Sequence, residues 1–361
     1  MNVKEKMVAK FKRGVITAFV IVCFVASAAL TETGAVSKIP DQSQQLASKA
    51  KERKTERERS MTPAPARRNI GREIMWREPV DLESRNLFYG IGGRKGAPDP
   101  SAPFTFVKHS KSGSQKKVIV KDNRGREWTV KFGPEARPET VATRIVWAVG
   151  YHADQDYFVR HARIIGKEKI DARDVRFERR DDRFEEEGNW SWKENPFVGT
   201  RELDGLKVLM ALLKNWDVKS ANNEIARPIG NGNVRVYYVS DLGATFGQTG
   251  TWLHRIPLFI DAPATYGFAA SKAKGDPEAF ADEKFIKDVE DGNVSFYQRR
   301  LRGRRLVEDV PVTHARWMGN LLGRLSNKQL TDAFRAGGFN HDEVAQYVRV
   351  LRERIKQLQN L

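Results

Sequence analysis

Three short stretches, "FTFVKHS" (104–110), "KKVIVKD" (116–122) and "REWTVKF" (126–132), follow one another closely and each reads as a strand, the last with apolar and polar residues alternating. Period-two alternation marks strands that bury one face. The connection 122–125, "DNRG", has the Asp, Asn and Gly of a tight hairpin turn, and Lys111-Ser112-Gly113-Ser114 joins the first two stretches. Neither link can hold a crossover helix, so the spacing predicts an antiparallel meander. The pattern then changes. "RPETVATRIVWAVGY" places Pro138 near its start and apolar residues at 141, 145, 146 and 149, which predicts an amphipathic helix. A meander followed by a helix commits this part of the chain to an α+β class.

Further along, residues 163–200 are heavily charged and read as an exposed hairpin or connector. "TRELDGLKVLMALLKNW" carries apolar residues at 203, 206, 209, 210, 212 and 213, and predicts a strong helix. "NVRVYYVSDLG", 233–243, predicts a strand that delivers an aspartate at its end. Beyond 312 the chain reads as successive helices, with Ser326 and Asn340-His341 near their starts. The order is therefore a small sheet, a helix, a connector and a mainly helical remainder.

The first 30 residues are different. Lys4, Lys6, Lys10, Lys12 and Arg13 precede the apolar run "VITAFVIVCFVASAAL", which contains Ala26-Ser27-Ala28. That order predicts a secretory signal or an N-terminal anchor, with residues 14–30 as a membrane tether and an exported, periplasmic, secreted or membrane-anchored chain. Residues 31–80 mix alternating charge with Pro63 and Pro65, and read as a solvated linker. The folded part then divides at 81–165 and 166–361. Cys23 is the only cysteine and lies inside the apolar run, which excludes disulfides and thiolate chemistry from the rest of the chain. The six histidines show no metal-ligand spacing, and no Gly-x-Ser-x-Gly is present. In "YGIGGRKGAPDP", 89–100, the prolines that follow forbid the helix of a dinucleotide fingerprint, so it reads as a turn-rich lead-in.

Four features stand in a telling order. Lys131 lies on the third strand, Glu139 in the first turn of the next helix, Asp217 and Asn222 in "NWDVKSAN", and Asp241 in "SDLGATFG". Phosphoryl transfer calls for a cation on the phosphates, oxygen ligands for Mg²⁺ and a base for the attacking hydroxyl. In this order the residues resemble the protein-kinase-like fold on its atypical side, a bilobal α+β fold with a meander-plus-helix lobe and a mainly helical lobe. "DLGATFG" is similar to the metal-binding turn of phosphatidylinositol 3/4-kinases and secretory-pathway kinases. The resemblance implies that Lys131 holds the α/β-phosphates of ATP and pairs with Glu139, with Gly113 the remaining glycine of the nucleotide loop. It implies Asp217 as base, Lys219 beside it, and Asn222 and Asp241 as Mg²⁺ ligands. Asn215-Trp216 stands where His-Arg is usual, and Glu135 is a second carboxylate able to disturb the Lys131 pair.

The reading is thus an ATP/Mg²⁺-dependent phosphotransferase whose acceptor is a protein, lipid, sugar or small molecule. Two alternatives remain. One is a kinase-like binding or scaffold module without turnover, favoured by the absence of a Gly-x-Gly-x-x-Gly between the first strands. The other is a basic envelope protein that binds polyanions without specific nucleic-acid recognition, favoured by the net charge of +17.

Overall fold

The computed structural model describes residues 72–361 except 111–115, 181–183, 231–232, 248–274 and 299–304. The basic and apolar segment 1–30, linker residues 31–71 and Gly113 lie outside the described residues. The chain divides into two units, Met1–Ser60 and Met61–Leu361, and all that follows concerns the second. Among the described residues no helix is long and apolar enough to cross a membrane.

The fold is mixed α+β. Strand β1 (Arg72–Ile74) precedes the three expected strands, β2 (Phe104–Ser110), β3 (Lys117–Lys121) and β4 (Glu127–Lys131). These three pair antiparallel in chain order. The hairpin between β3 and β4 closes as its turn residues require, with Gly125 at φ 77°. Period two puts Trp128 and Val130 into one apolar cluster with Val118, Val120 and Phe177, while Thr129 and Lys131 take the opposite face.

The sheet does not stop at three strands. β5 (Asp156–Ile165) and β6 (Ile170–Arg179) pair with each other, β6 pairs with β4, and β5 meets β2 in parallel, so the five strands close into a barrel. Much of the charged stretch read as a connector is therefore strand. Its inward residues include the small or apolar Ala172, Val175 and Phe177, and most of its charges face outward, Arg176 being a buried exception. The division expected at 165/166 falls in the turn between β5 and β6, where it would cut a hairpin.

The linker boundary also moves. Residues 72–80 are folded: β1 pairs with a later strand, Met75 is buried, and the Trp76 indole donates to the Val149 carbonyl at 2.7 Å. Apolar side chains at 74–76 supply the burial that the charged residues before them lack.

Helix α1 (Ala136–Ala148) follows β4, with Pro138 and Glu139 in its first turn. Helix α2 (Arg201–Leu212) starts at Thr200, whose side chain accepts from the Leu203 N–H, and gives way at Lys214, which adopts φ 56°. A second sheet runs β1-β9-β8-β7, built from β7 (Phe184–Asn189), β8 (Asn223–Pro228) and β9 (Val234–Val239). A short helix α3 (Pro277–Asp282) and a small three-stranded sheet, β10 (Ile286–Glu290), β11 (Asn293–Phe296) and β12 (Val310–Pro311), lead into α4 (Val312–Gly323), α5 (Asn327–Ala336) and α6 (His341–Gln359). Ser326 and Asn340 cap the last two helices, each in a reciprocal capping box. Val141, Ile145 and Val146 of α1 join α2 and α4–α6 in one large core, separate from the barrel's own.

Candidate active site

Lys131 ends β4 with its side chain 2% exposed, and its ammonium touches three carboxylates. Glu139 Oε2 lies at 3.1 Å, Asp241 Oδ1 at 2.7 Å and Glu135 Oε2 at 2.6 Å. The expected Lys131–Glu139 pair forms, but Glu135 comes closer. The turn Phe132–Glu135 folds the chain back toward Lys131 and puts Glu135 just ahead of the helix that carries Glu139. The oxygens of Glu135, Glu139 and Asp241 lie within 4.8 Å of one another, around the ammonium.

The charges are balanced tightly. Burial opposes the Lys131 ammonium, yet Glu139 and Asp241 outweigh it and raise its pKa above the ordinary lysine value. Burial pushes the Glu139 carboxyl up to about 7 even against the pull of Arg176 and Lys131. Burial would also raise Asp241, but Lys131 holds it below the usual carboxylate range. Asp241 keeps 42% of its side chain exposed, so its carboxylate faces both Lys131 and solvent.

The second loop is built to hold Asp217. Its N–H donates to Asn215 Oδ1 at 3.1 Å, and Asn215 is buried at the end of α2. The Lys219 ammonium meets Asp217 Oδ2 at 2.7 Å. The Asn222 amide NH₂ donates to the Asp217 carbonyl at 2.9 Å and lies 3.4 Å from Oδ2. Both N–H contacts of Asn222 therefore go to Asp217, and its amide oxygen is the atom left to meet a cation.

Backbone hydrogen bonds tie this loop to the aspartate turn. Ser240 N–H donates to the Asn222 carbonyl at 2.8 Å, Trp216 N–H to Ala244 and Phe246 N–H to Leu213. Asp241 itself sits at φ 52°, a left-handed conformation that Asp tolerates better than most residues. Gly243 is needed for space: a Cβ there would lie 2.7 Å from that of Glu135. Phe246 pins the far end of the turn, with its ring 5.1 Å from Phe334, 5.5 Å from Phe280 and 5.7 Å from Tyr347. Phe246→Ala should cost about 3–5 kcal/mol of stability, read from urea unfolding, because no neighbour can fill a fully buried ring site.

Lys131, Glu139, Asp217, Lys219, Asn222 and Asp241 thus belong to one connected set of contacts, and Gly113 lies outside the described residues. Arg176 was not singled out by the sequence. It pairs in register with Lys131 across β4 and β6 and contacts Glu139 at 2.7 Å, Asp156 at 3.0 Å and Glu178 at 2.5 Å. Alternation in "VRFER" sets Arg176 and Glu178 on one face, but only the strand register reveals their neighbour.

Beside the cluster opens a cleft of about 1520 Å³, lined by Glu178 of β6 and Gln155 just ahead of β5, by Ile91 and Gly92, and by Glu224 of β8 and Ser240 just after β9. Its walls do not include Lys131, Asp217 or Asp241; it reaches the cluster through Glu178, which meets Arg176, and Ser240, which precedes Asp241. The turn-rich lead-in forms one rim.

No protein-family profile and no curated protein matches the chain. Among solved structures it is similar to the proinflammatory kinase CtkA of Helicobacter pylori, with 11% identity, 72% of this chain and 94% of that chain covered, and a TM-score of 0.38.

Proposed function

We propose that this chain is an ATP/Mg²⁺-dependent phosphotransferase of atypical kinase type, with the barrel and α1 as one lobe and the mainly helical remainder as the other. The observation that carries the reading is the Lys131 ammonium, held between Glu139 of the following helix and Asp241 of the Asp-Leu-Gly turn. Two oxygen groups of the right chemistry belong to the same set of contacts. Asn222 offers an amide oxygen and Asp241 a half-exposed carboxylate, hard ligands of the kind Mg²⁺ takes alongside phosphate oxygens. When bound, Mg²⁺ would neutralise charge on the transferring phosphoryl group.

The protein's own residues would do the rest. Lys131 turns from Asp241 to phosphate oxygens, and Glu139 keeps it in place. Asp217, fixed by Asn215, Lys219 and Asn222, accepts the proton of the acceptor hydroxyl. The cleft receives the base and sugar, its volume ample for a nucleotide.

Calorimetry of the purified chain with ATP, with and without Mg²⁺, tests the reading. Mg²⁺-dependent binding that Asp241→Asn abolishes is the expected result, and no Mg²⁺-dependent binding overturns it. Binding without transfer of the γ-phosphoryl group to any acceptor would instead favour the inactive module. Binding only to polyanions, collapsing steeply with salt, would favour the basic envelope protein.

A further inference from the structure

We propose that Arg176 is a positioning residue for the nucleotide phosphates, acting through Glu139 on Lys131; this rests on the phosphotransferase reading. Arg176 is 2% exposed and directly opposite Lys131 in the strand register, so the two cations flank Glu139 from adjacent strands. Glu139 has two oxygens and divides them: Oε2 accepts from Lys131 at 3.1 Å, and Oε1 lies 2.7 Å from Arg176 Nη1 as an ion pair without hydrogen-bond alignment. A carboxylate held at one oxygen can rotate about its stem. Drawn at its other oxygen by the Arg176 charge, it is biased to one orientation, and so is the direction in which it draws the Lys131 ammonium.

Arg176 is itself fixed. Asp156 takes Nη1 at 3.0 Å, and Glu178 takes Nη2 at 2.5 Å. Asp156 and Glu178 belong to facing positions of β5 and β6, so the guanidinium is bolted to the barrel wall. A planar fork of donors can do this where a lysine cannot. Glu139 belongs to α1, which is packed into the large helical core. Arg176 therefore sets the distance between barrel and helix at the point where Lys131 must be aimed. Glu135 makes such a brace necessary. It offers Lys131 a closer carboxylate at 2.6 Å, and Arg176 is the cation among the described contacts that draws the other oxygen of Glu139.

The test compares binding of MgADP and adenosine by calorimetry in wild type, Arg176→Lys and Arg176→Met, alone and combined with Lys131→Met. Misaiming Lys131 should weaken MgADP by about 10- to 100-fold, the scale of small misplacements at such sites, while adenosine binding stays within about threefold. Arg176→Lys should fall between, since it keeps the charge and loses the fork. In the Lys131→Met background the Arg176 substitutions should add less than about threefold to the loss. Equal weakening of MgADP and adenosine, or a full additional loss in that background, would overturn the proposal and leave Arg176 a structural residue. If Arg176→Met does not fold, Arg176→Lys decides by the same comparison. If Lys131→Met weakens MgADP but both Arg176 variants match wild type, the inference fails and the phosphotransferase reading stands. If wild type binds neither MgADP nor adenosine, both fail.

Discussion

Asp217→Asn should lower phosphoryl transfer by about 10²–10⁴-fold while MgATP affinity stays within about threefold of wild type. Under the proposed function the substitution removes the proton acceptor but keeps size and shape. An asparagine oxygen can still accept from Lys219, now 2.7 Å from Asp217 Oδ2, and the Asp217 carbonyl still receives the Asn222 amide. The loop should hold, because its other anchors are backbone groups and Asn215. Single-turnover transfer and calorimetry on the same preparation check both halves. A loss of binding that matches the loss of transfer would mean Asp217 shapes the nucleotide site instead of serving as base.

What the sequence made legible was local. The strands β2–β4, helix α1 and the caps Ser326 and Asn340 each follow from patterns within a few residues, and each is where its pattern places it. The order of Lys131, Glu139, Asp217, Asn222 and Asp241 was legible for a related reason: short loops after well-patterned elements leave little freedom in where a side chain lands. Strands β5 and β6 were hidden. Arg160, His161, Arg163 and Arg173 face outward, and inward positions are filled partly by Ala162 and Ala172, so the apolar signal is weak. Arg176 could not be recognised without the β4–β6 register, because its partners Glu139 and Asp156 lie far from it in sequence and on different elements. Glu135 was visible as a competitor, but that it lies closer to Lys131 than Glu139 does depends on how the turn before α1 folds back.

Lys131→Met should destabilise the chain most well above pH 7, and progressively less as pH falls to about 7, below which its deficit levels off. Well above pH 7 it strands the ionised carboxylate of Glu139, which is fully buried, together with Glu135 and Asp241 within 4.8 Å. Removing one partner of a buried pair leaves the other charge uncompensated, at a cost of about 3–5 kcal/mol. Half-exposed Asp241 adds little, since water screens it.

The pH dependence follows from linkage. Glu139 already titrates near 7 with Lys131 present, against an ordinary value of 4.5, and loss of the ammonium moves it further up. An acid whose folded pKa is raised binds more protons folded than unfolded between those two values. Both proteins gain stability alike as pH falls from about 7 towards 4.5, but above 7 only the variant's Glu139 keeps its proton, so the deficit of Lys131→Met shrinks as pH falls through that upper range and is level below it. Urea unfolding of both proteins at pH 8 and pH 5 measures the difference. An equal deficit at the two pH values would mean that Lys131 contributes through packing of its stem, and that the three carboxylates do not depend on its charge.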